Sequence, residues 1–314
     1  MAKVLITAKE VHELIPERLA DLGYRSDHLP EPSEEELLEV IADYEGLIIT
    51  TYTKVSRVVI DKAVQLKFIG RVGSGLENVD LAYAAEKGIQ VFSSPEGNAN
   101  AVGEHALALT LNLFNKISVA YQEVKAGIWK REENRGLELD GKVVGIIGLG
   151  HTGTAFAKKL RGFEVEVLAY DKYRKNYGSD FVTESTVDEI LERADLISLH
   201  VPCTPETYHM VSPGWIAHTG NRPYLIHTCR GEVIDTEAVL AGLKSGQLRG
   251  LGIDVYEDEP WTKVRKIPLS VYRELFDLPQ VIATPHIAGW TQESKFKLAD
   301  ILMDKISTWK TGII

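Results

Sequence analysis

The chain has only two cysteines, Cys203 and Cys229, among its 314 residues. Two thiols cannot form a disulfide framework, so the fold must rest on packing, and a reducing compartment, the cytoplasm, is expected. No apolar run approaches the ~18 residues that cross a bilayer, and no basic stretch followed by an apolar segment has the form of a secretory signal. Neither a membrane span nor export is therefore expected. Positive charge is also short, since 35 Lys and Arg against 45 Asp and Glu leave a formal net charge of −10. Such a balance argues against general attraction to nucleic acid or to an anionic membrane, while leaving room for a local basic pocket. Internal repeats and low-complexity runs are missing, and no His, Cys and Asp spacing suggests a metal site. What remains is an ordinary globular composition, 44% hydrophobic and 25% charged, in a chain long enough for two domains with separate cores.

Strand-like and helix-like segments alternate from the start, over residues 3–8, 11–22, 33–43, 46–51, 56–66, 68–72, 81–87 and 89–93. This alternation predicts a small parallel α/β unit. Within it Ser33 and Glu36 form a capping-box pattern that marks a helix start. From about Asn98 a long helical pattern places Ala101, His105, Ala106, Leu109, Leu113 and Ile117 near one face. The alternation then resumes through 187–191, 196–201, 224–228, 236–243, 250–256 and 281–284, predicting a second doubly wound parallel sheet. After Trp290 only one helical stretch, 292–309, is left; it is too short for a domain and is expected to pack back on the first unit. The predicted organisation is α/β throughout. A Rossmann domain of residues 98–289 is inserted into a discontinuous flavodoxin-like domain of residues 1–97 and 290–314.

Gly148-Leu149-Gly150-His151-Thr152-Gly153 stands mid-chain, after the apolar run 142–147 and before an amphipathic stretch. Such glycines permit a tight strand-to-helix turn and a close approach of backbone to a pyrophosphate, whose charge the helix N-terminus then meets. A second strand-like run ends at Asp171, about 20 residues further on, where an acid that binds the ribose is expected. The pattern therefore predicts a dinucleotide, and an acid at 171 favours NAD over NADP. Lys172, Arg174 and Lys175 follow at once and read as a solvated basic edge that leaves some tolerance for NADP. Three further polar groups stand at predicted strand ends or in the loops after them: Arg230, Glu259 and His286. Singly, each has a bland explanation as a surface Arg, a solvated acid or a packed His.

Together with the fingerprint, the segments holding these residues resemble the D-isomer-specific 2-hydroxyacid dehydrogenase family. The likeness extends over nearly the whole chain through Arg71-Val72-Gly73-Ser74-Gly75, Asn98-Ala99-Asn100-Ala101-Val102-Gly103-Glu104 and Leu199-His200-Val201-Pro202. It implies NAD as cofactor, a small 2-hydroxy or 2-keto acid as substrate, and an active site in the cleft between two domains that close on the substrate. Carried over residue by residue, it makes His286 the acid/base, Glu259 its partner and Arg230 the clamp on the substrate carboxylate and carbonyl. The resemblance places Gly148, Gly150, His151, Thr152 and Gly153 at the pyrophosphate and Asp171 at the ribose. It puts Val201, Pro202 and Thr207 on the adenine side, His200 near the cofactor, and Cys229 and Asp254 near the nicotinamide. The turn Gly73, Ser74, Gly75 would offer backbone N–H groups to the substrate carboxylate, with Arg71 and Asn98 beside it. The chemistry fits these residue types: a developing alkoxide needs a proton donor and a fixed cation, and a carboxylate beside an imidazole raises its pKa.

Phosphoglycerate-type members usually carry an Arg where this chain has Thr50, so one phosphate-binding charge is lost, although Arg71, Arg131, Lys54 and Arg57 remain. A phosphorylated substrate and an unphosphorylated one, glyoxylate or hydroxypyruvate, both stay open. So does a second class, a non-catalytic NAD-sensing protein of the corepressor type. The chain ends at Ile314 without the serine-sensing domain of many phosphoglycerate enzymes, and feedback of that kind is not expected. Members commonly form homodimers through the nucleotide-binding domain, here residues 101–129. His12, His28, His105, His209, His218 and His227 show no assembled partner set in the sequence.

Overall fold

The apolar runs become buried parallel strands. The structure, a computed structural model, describes residues 1–259 and 267–312. Its chain divides into two units, Met1–Ala99 with Trp290–Ile314, and Asn100–Gly289.

The first unit holds β1 (Ala2–Ile6), β2 (Tyr24–His28), β3 (Gly46–Ile49), β4 (Phe68–Arg71) and β5 (Gln90–Ser93), in the order β2-β1-β3-β4-β5. All pairs are parallel, and the order is that of flavodoxin-like sheets. Parallel strands covered on both faces read as continuous apolar runs, and in β3 every residue is buried. Strand β2, Tyr-Arg-Ser-Asp-His, is not anticipated from sequence, because an edge strand paired only with β1 has little apolar signal to show. Ser33 does cap helix Glu34–Val40: Glu36 N–H donates to its Oγ (3.2 Å), and Ser33 N–H donates to Glu36 Oε2 (2.8 Å). Helix Gln292–Thr311 puts Leu302, Met303 and Ile306 against the first sheet, in one cluster with Val4, Ile6, Ile48 and Phe68. Three such side chains at about 1.5–3 kcal/mol each contribute as much as the whole net stability of a marginal domain.

The second unit holds β6 (Val143–Ile147), β7 (Glu166–Tyr170), β8 (Val182–Glu184), β9 (Leu196–Leu199), β10 (Tyr224–His227), β11 (Gly250–Ile253) and β12 (Val281–Ala283). Their order, β12-β11-β10-β9-β6-β7-β8, reverses direction between β6 and β9, which is the switch point of a Rossmann sheet where a dinucleotide binds. The short edge strand β8 and helices Pro213–Ala217 and Leu269–Asp277 are additions to the sequence reading.

The long helix starts at Pro95 rather than near Asn98, since proline suits a first turn whose N–H would be unpaired anyway. It ends at Asn115. Lys116 takes a left-handed conformation (φ 52°), and helix Ile117–Lys125 begins anew with Ile117 exposed, outside the stripe to which its spacing assigns it. Among the described residues no helix is long and apolar enough to cross a membrane.

Candidate active site

The glycine turn connects β6 to helix His151–Leu160. Gly148 has φ +94°, and a Cβ on it would lie 2.5 Å from the His200 carbonyl oxygen; one on Gly153 would lie 2.0 Å from the Gly148 carbonyl oxygen. Only glycine lets this turn close so tightly. Gly150, the N-cap, makes no side-chain cap bond and faces open space, which leaves room in front of the helix N-terminus. These features fit a pyrophosphate held by backbone N–H groups and the helix dipole.

Asp171, directly after β7, reaches back across the turn. Its Oδ2 accepts from Leu149 N–H (2.8 Å), and its Oδ1 accepts from Tyr173 and Arg174 N–H (3.0 Å each). Burial pushes its carboxyl up, but these amides together outweigh that and hold it below the usual range, so it is anionic near neutral pH. The basic edge is more organised than its composition implies. Lys172 pairs with Glu206, and the Arg174 guanidinium folds back to donate to the Leu149 carbonyl oxygen.

His200, after β9, is buried. One ring nitrogen lies 2.9 Å from Ser198 Oγ and the other 3.3 Å from Thr152 Oγ1, and burial pushes its pKa down to about 3. It is a neutral brace for the glycine turn. Beyond it Thr207 Oγ1 donates to the Pro202 carbonyl oxygen (2.6 Å), and Thr204 N–H donates to Thr207 Oγ1 (2.8 Å), which folds the segment carrying Val201 and Pro202. Cys229, after β10, is a buried thiol pushed up to about 11, and it is therefore protonated and unreactive near neutral pH.

Arg230, Glu259 and His286 come from the loops after β10, β11 and β12. Gly231 allows this convergence, since a Cβ there would meet the Tyr256 carbonyl group at 2.0 Å. Arg230 Nη1 donates to the Cys229 carbonyl oxygen (2.8 Å). Glu259 Oε1 accepts from Tyr256 N–H (2.6 Å), and its Oε2 is hydrogen-bonded to His286 Nδ1. The Glu259 contact raises the His286 pKa above the ordinary histidine range; burial opposes it, Asp254 adds to it and the Arg230 charge lowers it. The imidazole thus has Nδ1 fixed on a carboxylate while half of the side chain stays open to solvent. A proton held at Nε2 can be given to a substrate oxygen.

In the first unit, Arg71 ends β4 and the turn 73–75 comes next. Gly73 has φ +142°, and its missing Cβ leaves the space in which Arg71 Nη1 sits. Arg71 Nη2 donates to Thr51 Oγ1 (3.2 Å). Gly73 N–H donates to Ser94 Oγ (3.3 Å), so the turn's N–H groups available to a carboxylate reduce to those of Ser74 and Gly75. Ser74 Oγ donates to Asn98 Oδ1 (2.8 Å). Arg57 is engaged with Asp80 (2.9 Å), Lys54 is exposed, and Arg131 lies in an exposed segment of the second unit.

Two of the remaining histidines stand near carboxylates that the sequence does not reveal. His209 Nε2 lies 2.7 Å from Glu257 Oε2, and His105 Nε2 lies 2.9 Å from Thr284 Oγ1 and 3.6 Å from Asp254 Oδ1. The one available signal for His105 is a polar residue on an otherwise apolar helix face. Among the described residues no cluster of three His, Cys, Asp or Glu is arranged to hold a metal.

A family model for the D-isomer specific 2-hydroxyacid dehydrogenase NAD binding domain matches residues 107–288. The chain belongs to this family, and its second unit carries the NAD-binding domain. It is 35% identical over 283 residues to a D-3-phosphoglycerate dehydrogenase of Archaeoglobus fulgidus, covering 90% of this chain and 52% of that protein. It is 34% identical over 299 residues to a hydroxypyruvate reductase of Thermotoga maritima, covering 95% and 94%. The chain thus spans about half the length of the phosphoglycerate dehydrogenases it matches and nearly all of the reductase. Among solved structures it resembles D-lactate dehydrogenase from Aquifex aeolicus complexed with NAD and lactic acid, with TM-score 0.84, 30% identity, and 98% and 96% of the two chains covered.

Proposed function

We propose that this chain is an NAD-dependent D-2-hydroxyacid dehydrogenase acting on a small 2-keto acid. The observation that carries the reading is the Glu259–His286 pair, set with Arg230 at strand ends of the NAD-binding unit. A bound nicotinamide supplies the hydride for reduction and accepts it for oxidation. His286, as imidazolium, gives its Nε2 proton to the oxygen that gains charge at the keto carbon, and in the reverse direction it takes that proton back. Glu259 keeps the ring oriented and charged to higher pH. Arg230 holds the substrate carboxylate in its planar fork and faces the carbonyl oxygen with a charge it cannot lose.

From the first unit we assign Ser74 and Gly75 N–H groups to the substrate carboxylate, with Gly73 and Asn98 shaping their turn, and Arg71 to a distal polar or anionic group. Loss of the cation at position 50 favours hydroxypyruvate or glyoxylate, and Arg71 keeps phosphohydroxypyruvate in the comparison. NADH oxidation against these three acids and pyruvate tests the reading. Turnover of at least one is expected. Failure of all of them by a protein that still binds NADH would overturn it.

We also propose a homodimer. Ile117, Tyr121, Val124 and Trp129 on and just after helix Ile117–Lys125 are 54%, 61%, 59% and 82% exposed, an apolar stripe of the kind that marks an interface. Light scattering should give the mass of two chains for the native protein and of one chain for Tyr121→Glu/Val124→Glu. A native mass of one chain refutes the dimer.

A further inference from the structure

The proposed proton transfer at His286 uses no group from the long helix Pro95–Asn115, yet one of that helix's side chains ends on the machinery of His286. His105 shares a helix face with the buried residues Ala106 and Leu109, and its own side chain is 19% exposed. Its Nε2 stands 2.9 Å from Thr284 Oγ1. Thr284 Oγ1 stands 2.5 Å from Oδ1 of Asp254, whose side chain is fully buried at the end of β11. That carboxylate also accepts from two backbone amides just past His286: Ile287 N–H to Oδ1 (2.9 Å) and Ala288 N–H to Oδ2 (2.8 Å).

Hydrogen-bond directions follow from donor counts. The Thr284 hydroxyl has Asp254 Oδ1 at 2.5 Å and the Ile253 carbonyl oxygen at 3.5 Å as acceptors, so its one proton goes to the nearer carboxylate oxygen, and Thr284 Oγ1 is left as acceptor toward His105. His105 must then donate from Nε2. The chain of bonds runs His105 to Thr284 to Asp254, and Asp254 pins residues 287 and 288. His286 itself has φ 53°, a left-handed conformation uncommon outside glycine, so its direction depends on how the flanking backbone is held. The backbone on its C-terminal side is fixed by this network and the side chain by Glu259. Tyr256 adds a bond from its hydroxyl to the Thr284 carbonyl oxygen (2.8 Å).

We propose that His105 is a positioning residue for His286, acting through Thr284 and Asp254 to hold the left-handed turn that aims the imidazole at Glu259 on one side and the substrate on the other. The inference rests on the proposed dehydrogenase reading for its kinetic consequences but not for its geometry. Charged groups acting on His286 are Glu259 and Asp254 after β11 and Arg230 after β10; His105 faces Asp254 and Thr284.

The test uses the full chain with His105→Leu, His105→Gln, Thr284→Val and Thr284→Ser. Side-chain NMR of His286, without cofactor or substrate, reads its titration midpoint. Fluorescence reads NADH affinity, and a pH series reads kcat. In His105→Leu and Thr284→Val the loosened turn weakens the Glu259 contact, so the midpoint and the alkaline fall in keto-acid reduction both move to lower pH. The kcat falls about 10- to 100-fold while NADH affinity holds. Gln and Ser, which keep the donor and the hydroxyl, restore native behaviour. A native His286 midpoint in folded His105→Leu or Thr284→Val overturns the proposal, as does failure of the Gln variant to restore it. Should no keto acid turn over in the native protein, the dehydrogenase reading fails and the NMR midpoint still decides this one.

Discussion

Each sheet carries a glycine-rich turn at the C-terminal end of a parallel strand, 73–75 after β4 and 148–153 after β6, and the two are built differently. The second runs straight into the N-terminus of a ten-residue helix whose N-cap, Gly150, makes no side-chain cap bond. The first has no helix until Leu81–Glu86 and instead has a guanidinium packed into the space of the missing Cβ. One turn offers a helix dipole and a row of amides, the other two amides and a cation. Glycine supplies the close approach in both, and the neighbouring helix or guanidinium sets the chemistry that each turn presents.

The largest expected effect tests whether holding and reacting are separate. His286→Ala should lower kcat for keto-acid reduction by about 10²–10⁴, the range for a lost general acid, with NADH affinity unchanged by fluorescence titration. A parallel loss of NADH affinity would mean that the turn and the reacting loops are one structure. A paired substitution sharpens the contrast between the turns. Gly153→Ala drives a Cβ into the Gly148 carbonyl and should weaken NADH binding about tenfold or more, whereas Gly73→Ala displaces Arg71 and should raise KM for the keto acid alone. The same response from both would erase the distinction.

The smallest effect concerns pH. In the proposed mechanism reduction needs His286 protonated, and Glu259 raises its pKa, so activity is expected to persist to higher pH and to be lost as pH rises through the raised value. Glu259→Gln should therefore move the alkaline fall in kcat/KM to lower pH. An unmoved profile would remove Glu259 from its assigned role.

Much of the fold is legible in the sequence because central parallel strands are apolar on both faces, and β3, β9 and β11 are buried throughout. The edges are not: β2 and β8 pair on one side and show polar sequences that no alternation rule separates from loop. In the site, Glu259 and His286 stand 27 residues apart, each within a recognisable segment, and the fold puts their side chains in contact. His105 escapes a reading of the sequence because its partner Thr284 lies 179 residues away and a lone histidine in a helical stripe announces nothing. Arg174 reads as solvated because a basic run shows its charge but not the carbonyl it folds onto.

The return of helix Gln292–Thr311 to the first unit also sets an order of events. Val4, Ile6, Ile48 and Phe68 leave the ribosome early, but Leu302, Met303 and Ile306, which complete their cluster, emerge only after residues 100–289 have been made. At about 5–20 residues per second that interval is roughly ten seconds or more, long enough for the inserted domain to assemble first. The unit that begins the chain is thus the one that finishes last.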